Sequence, residues 1–189
     1  MVDDLPTVRA EDFWGRFQAN LLSERPSGFG GEWTRGMYQV LHAVQRDLNL
    51  WCQCKPGHET PQGAKGELLK IDMMWFKQGV SRWAPPLVAI EHENAWNLDE
   101  SRTDFWRVAQ ICAPLRICIV YVRTADRVEN TANALISTAV ENEWQRLPDA
   151  EDLLVLGHGN MGWDGFRAWR LDAAGTTELT TTQTRPPNC

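Results

Sequence analysis

Apolar residues along this chain recur with two different periods, and the switches between those periods mark its elements. From Ala10 to Leu22, Phe13, Trp14, Phe17 and Leu21 fall at helical spacing, which predicts an amphipathic helix. The run RPSGFGG interrupts it with glycine and proline. A second helix is predicted from Glu32, with Trp33, Met37, Val40, Leu41, Val44 and Leu48 along one stripe. Asn49 to Lys55 reads as a short strand, ending in the turn-rich loop PGHETPQGAKG.

The period then changes to two. Leu68 to Phe76, LLKIDMMWF, and Leu87 to Glu93, LVAIEHE, read as a pair of strands. Alternation puts Lys70, Asp72 and Met74 on one face of the first strand, with Leu69, Ile71, Met73 and Trp75 on the other. In the second strand Glu91 and Glu93 share a face, opposite Val88, Ile90 and His92. Each strand thus has one apolar face, and the other face gathers three carboxylates. His92, on the apolar side, reads as a core histidine.

Helical spacing returns after Asn97-Leu-Asp-Glu100, which has the spacing of a capping box. Phe105, Val108, Ala109 and Cys112 mark its buried side, and Pro114 its end. Arg116 to Arg123, RICIVYVR, has the continuous apolar character of a strand buried on both faces. A long helix follows, with Val128, Ala132, Leu135, Ile136, Ala139, Val140 and Trp144 in register up to Pro148. Asp152 to Gly157 is the next strand, completing a right-handed β-α-β crossover, and Trp163 to Leu171 adds an edge strand. The expected organisation is one α/β domain over 1–175, with a mixed central sheet flanked by helices, and a polar tail over 176–189.

Composition changes this picture in a few places. A hydrophobic fraction of 43% with ten tryptophans implies a packed core rather than a disordered chain. No apolar run is long enough to span a membrane, and MVDDLPTVRAED lacks a basic-then-apolar signal segment, so a cytoplasmic location with no membrane partner is expected. Five cysteines suit reduced thiols better than a disulfide framework. Cys52, Cys54 and His58 form C-x-C-x₃-H, one ligand short of a structural zinc site and without its usual C-x₂-C pair. The net charge of −6 argues against nonspecific nucleic-acid binding through a broad basic surface. The acids concentrate toward the C-terminus, however, while Ser101 to Arg127 carries five arginines against Asp104 and Asp126. A locally basic surface near the carboxylates is therefore expected.

Same-face residues in a strand lie about 6.5–7 Å apart, so Glu91 and Glu93 with Asp72 can converge on one ion. Carboxylates together with water and phosphate oxygens are the ligands of Mg²⁺, which points to phosphodiester chemistry. The order helix, strand, strand pair bearing Asp then Glu-x-Glu, helix, strand, helix, strand resembles the PD-(D/E)XK nuclease superfamily, over roughly residues 32 to 157. Eighteen residues separate Asp72 from Glu91, a gap suited to that family's hairpin. Ile71 stands where the family often has proline, and Glu93 where it usually has lysine.

The resemblance implies a restriction-endonuclease-like fold and a metal-dependent endonuclease acting on DNA. It implies Asp72 and Glu91 as Mg²⁺ ligands, with Mn²⁺ as a substitute, and Glu32 on the preceding helix as an assisting carboxylate. The expected mechanism adds the backbone carbonyl of His92 to the metal shell. Glu93 orients or deprotonates the attacking water or holds a second ion, and Lys70 supplies the charge of the missing lysine. A homo-oligomer is compatible with the sequence. The alternative is an inactive module of the same fold that binds nucleic acid or a protein.

Overall fold

A computed structural model describes residues 8–28, 30–58, 64–81, 83–94, 96–142, 144, 149–158 and 165–180. Helices α1 (Ala10–Glu24) and α2 (Gly31–Asp47) precede strands β1 (Leu50–Cys54), β2 (Ala64–Lys65), β3 (Met73–Lys77) and β4 (Val88–His92). Then come α3 (Leu98–Ala109), β5 (Leu115–Val122), α4 (Asp126–Glu141), β6 (Glu151–His158), β7 (Arg167–Asp172) and β8 (Gly175–Leu179). The strands form one mixed sheet in the order β2-β1-β3-β4-β5-β6-β7-β8. Strands β4, β5 and β6 are mutually parallel, joined by crossovers through α3 and α4, while β1, β3 and β4 form an antiparallel meander. Among the described residues no helix is long and apolar enough to cross a membrane.

Both faces of the sheet are buried, and this corrects the expectation of one apolar and one carboxylate face. Met73, Trp75, Val88 and Ile90 pack with Phe13, Phe17, Met37 and Leu41 of α1 and α2. On the other side Met74, Phe76 and Ala89 pack with Phe105 and Val108 of α3 and Ala132 and Leu135 of α4. A β5 strand buried at every position explains the continuous apolar run RICIVYV, since crossover helices cover parallel strands on both sides. Asp72 and Glu91 lie together at one end of β3 and β4.

The first strand of the expected pair is shorter than its alternation suggests. Leu68 and Ile71 are joined by an isolated bridge, and Leu69 and Lys70 between them take left-handed backbone angles, with φ of 58° and 62°. Lys70 is therefore in a turn, not on a strand face. Left-handed backbone costs a side-chain-bearing residue about 1–2 kcal/mol, so this turn is strained. Leu69 is 69% exposed at its tip.

Asn97 caps α3, its side chain accepting from the Asp99 N–H at 3.0 Å. Cys112 lies beyond the helix and is exposed, contrary to its expected place on the buried stripe. The expected tail also begins inside the sheet. Residues 176–179 belong to β8, which covers β7 and becomes the edge strand. Threonine-rich TTEL has little apolar content but good strand propensity, which is why apolar counting missed it. Trp163 and residues 181–189 lie outside the described residues.

The expected basic surface is largely consumed by ion pairs. Arg116 is buried on β5 and forms a two-pronged pair with Asp152 of β6, at 2.7 and 3.1 Å, while also donating to the Ala109 carbonyl at 2.8 Å. Arg116 and Asp152 are register partners on adjacent parallel strands. Arg102 pairs with Asp99 at 3.0 Å, and Arg107 with the carboxylates described below.

Candidate functional site

Chain direction explains why three strand ends meet. Because β3 runs antiparallel to both β1 and β4, the start of β3 lies beside their ends. Cys54 pairs with Met73, and Met73 with Ile90. Carried one residue further, the register sets Asp72 between Lys55 and Glu91. The backbone agrees: the Lys55 N–H donates to the Asp72 carbonyl at 2.8 Å, and the His92 N–H donates to Asp72 Oδ2 at 3.1 Å.

A cleft of about 450 Å³ opens at this end. Its floor holds Asp72, Glu91 and His92; Thr34 and Tyr38 of α2 form one wall, and Asp104 and Arg107 of α3 another. Asp72 and Glu91 are both buried. Lys55 Nζ lies 3.3 Å from Asp72 Oδ1 and 3.7 Å from Glu67. A single nitrogen of Arg107, Nη1, lies 2.9 Å from Glu91 Oε1 and 2.8 Å from Asp104 Oδ1.

Burial, and then the nearby charge of Asp72, push the Glu91 carboxyl up to about 8, against the opposing pull of Arg107. Burial and a hydrogen bond with Glu93 push Asp104 up to about 7. Beneath them His92 is pushed down to about 4 by burial and hydrogen-bonds the Tyr121 hydroxyl at 2.8 Å. The Tyr38 ring stacks on His58 at 4.1 Å. Its buried hydroxyl faces Asp72, and its pKa is raised by burial and by the charge of Asp72.

Asp72, Glu91, Glu93 and Lys70 thus line one cleft together with His92. Glu93 follows the end of β4, its N–H still bonded to the Ile119 carbonyl at 2.9 Å, and its side chain engages Asp104. The expected third carboxylate of a metal site thus lines the cleft while contacting Asp104 of α3. Glu32 does not line the cleft. It lies over Gly28, where an added Cβ would stand 2.4 Å from Glu32 Oε2. The reason is helical phase, since Glu32 is two residues from Thr34, about 200° around the helix.

Lys55, Asp104, Arg107 and Tyr38 were missed by the sequence reading. Thr34 and Tyr38, four apart and so on one helix face, and Asp104 and Arg107, three apart, carry the only local signal. Of the C-x-C-x₃-H residues, Cys52 and Cys54 contact each other through their thiols. Cys52 and Cys54 are buried in strand β1, the Cys54 thiol donates to the His58 carbonyl at 3.2 Å, and the His58 ring faces Tyr38.

The raised carboxyls make stability depend on pH. Glu91 in the unfolded chain ionises near 4.5, whereas in the fold it keeps its proton to about 8. Between those values the unfolded state binds fewer protons, so stability falls as pH rises. Asp104, moved from 3.8 to about 7, acts in the same direction. The melting temperature in EDTA is expected to decline from pH 4.5 to pH 8, and Glu91→Gln to flatten that decline. Thermal unfolding across this range checks it; a wild-type profile that is flat or rises would contradict the inferred protonation.

No protein-family profile, no curated protein and no solved structure matches this chain.

Proposed function

We propose that this chain hydrolyses DNA phosphodiester bonds with a divalent cation held by Asp72 and Glu91, on a restriction-endonuclease-like core. The observation that carries this reading is the convergence of two buried carboxyl groups from neighbouring strand positions, with a lysine and an arginine drawn against them. Two carboxyls so placed can both ionise only at a cost to the fold, and a cation between them relieves that cost. The order α2, β1, β3, β4, α3, β5, with Asp72 before β3 and Glu91 on β4, supports the resemblance.

The donor set suits Mg²⁺, which takes one or two carboxylates and completes its shell with water and phosphate oxygens. Among the described residues no group of three or more His, Cys, Asp or Glu side chains could cage an ion, so substrate and water would supply the remaining ligands. Bound there, the ion would supply Lewis acidity, lowering the pKa of a coordinated water and neutralising phosphate charge. Lys55 contributes a positive charge beside Asp72, the role expected of Lys70. Glu93, in contact with Asp104, would orient or deprotonate the water. The His92 N–H fixes the orientation of Asp72.

A second reading is a module of this fold that binds without cleaving. The Lys55–Asp72 and Arg107–Glu91 pairs favour it, because they give both carboxyl groups cationic partners from the chain itself. Incubation with single- and double-stranded DNA, in Mg²⁺, Mn²⁺ or EDTA, separates the two. Cleavage confined to the metal-containing samples supports the nuclease. A gel shift without cleavage in every condition supports the binding module.

A further inference from the structure

The position of Arg107 says more than that an ion pair exists. One nitrogen is shared between Glu91 and Asp104, at 2.9 and 2.8 Å, so a single point of positive charge bridges two carboxylates. A bridging cation occupies the same kind of place. Lys55 stands in the same relation to Asp72 and Glu67. Neither cation is locked: the Arg107 side chain is 35% exposed and that of Lys55 is 49% exposed, whereas Glu91 and Asp72 are 4% and 12% exposed. The carboxylates are fixed by the sheet, and the cations reach them from the cleft wall on long side chains.

The contrast with Arg116 is informative. That arginine is 1% exposed, holds Asp152 with two nitrogens and bonds a backbone carbonyl with the third, so every part of its fork is used in the core. Among the described residues, the contacts of Arg107 with its carboxylates run through Nη1. A structural arginine has the first geometry. The second leaves most of the guanidinium available to the cleft.

We propose that Arg107 is an exchangeable counter-ion. It bridges Glu91 and Asp104, and it gives up that place when a divalent ion binds. This inference rests on the metal-site reading above and assigns its regulation. Released from the carboxylates, a planar guanidinium at the cleft wall is suited to take phosphate oxygens in a forked contact. The same side chain would thus restrain the empty site and then hold the substrate phosphate. Arg107 and the ion compete for the same carboxylate, so removing Arg107 should tighten metal binding, in contrast to the loss expected on removing a positioning residue.

The test compares wild type, Arg107→Gln and Arg107→Lys in Mn²⁺ titrations followed by thermal shift, with single-turnover DNA cleavage alongside. Arg107→Gln is expected to have a lower melting temperature in EDTA. Its metal midpoint should fall by about 5–150-fold, the usual span of coupling between two competing ligands. Cleavage at saturating metal should drop by about 10²-fold or more through loss of the phosphate contact. Arg107→Lys keeps the charge without the fork, so its metal midpoint should stay near the wild-type value while cleavage falls. A midpoint in Arg107→Gln that is unchanged or higher than wild type overturns the exchange and makes Arg107 a fixed strut. If Arg107→Gln responds to metal and wild type does not, the exchange is supported in its strongest form. If neither responds, the metal-site reading itself fails, and the exchange fails with it.

Discussion

Asp72→Asn should abolish metal-dependent cleavage, lowering the single-turnover rate by about three orders of magnitude or more. A metal ion contributes several kcal/mol to the transition state, and each 1.36 kcal/mol is about tenfold in rate. The substitution isolates the charge. An asparagine oxygen still accepts from the His92 N–H, so the β3–β4 junction keeps its bond, and only the anion facing Lys55 and Glu91 is lost. The fold should hold in EDTA, since removing one of two neighbouring carboxylates relieves repulsion on Glu91. Paired measurement of cleavage in Mg²⁺ and unfolding in EDTA checks both halves. Cleavage at the wild-type rate in this variant would remove Asp72 from the mechanism.

The largest stability effect should come from the buried Arg116–Asp152 pair. Asp152→Ala is expected to destabilise the protein by about 3–5 kcal/mol, because it leaves Arg116 buried without its anion. Replacing both partners, Arg116→Met with Asp152→Leu, should recover most of that loss, since the cost lies in an unpaired charge rather than in a missing attraction. Denaturant unfolding of the single and double variants distinguishes these. A cost under about 1 kcal/mol for Asp152→Ala would mean that water or another group reaches Arg116.

Most helices and strands were legible because their apolar periods are long and clean. The stripes of α1 and α2, the capped start of α3 at Asn97 and the apolar run of β5 each have one physical reading. The turn over Leu69 and Lys70 was not legible, because no glycine or asparagine announces its left-handed backbone and LLKIDM alternates as a strand would. Glu91 and Asp72 were visible as carboxylates on paired strands. Lys55 and Arg107 were not, because their role depends on strand register and helix phase that no short stretch of sequence carries. Arg107 and Arg116 looked alike as surface charge. Tertiary packing separates them into a cleft-facing cation and a core cation.

The proposed binding of a divalent ion at Asp72 and Glu91 is most directly tested by calorimetric titration of the wild-type chain with Mn²⁺ near pH 7, in buffers of different ionisation enthalpy. Glu91 holds its proton to about 8 and must release it to ligate a metal, so binding should release a proton and the apparent heat should change with the buffer. Asp72→Asn and Glu91→Gln should each lose the binding. Saturable binding with buffer-dependent heat in wild type and none in the two variants is the predicted result; no binding in wild type, or equal binding in all three, would contradict the metal site.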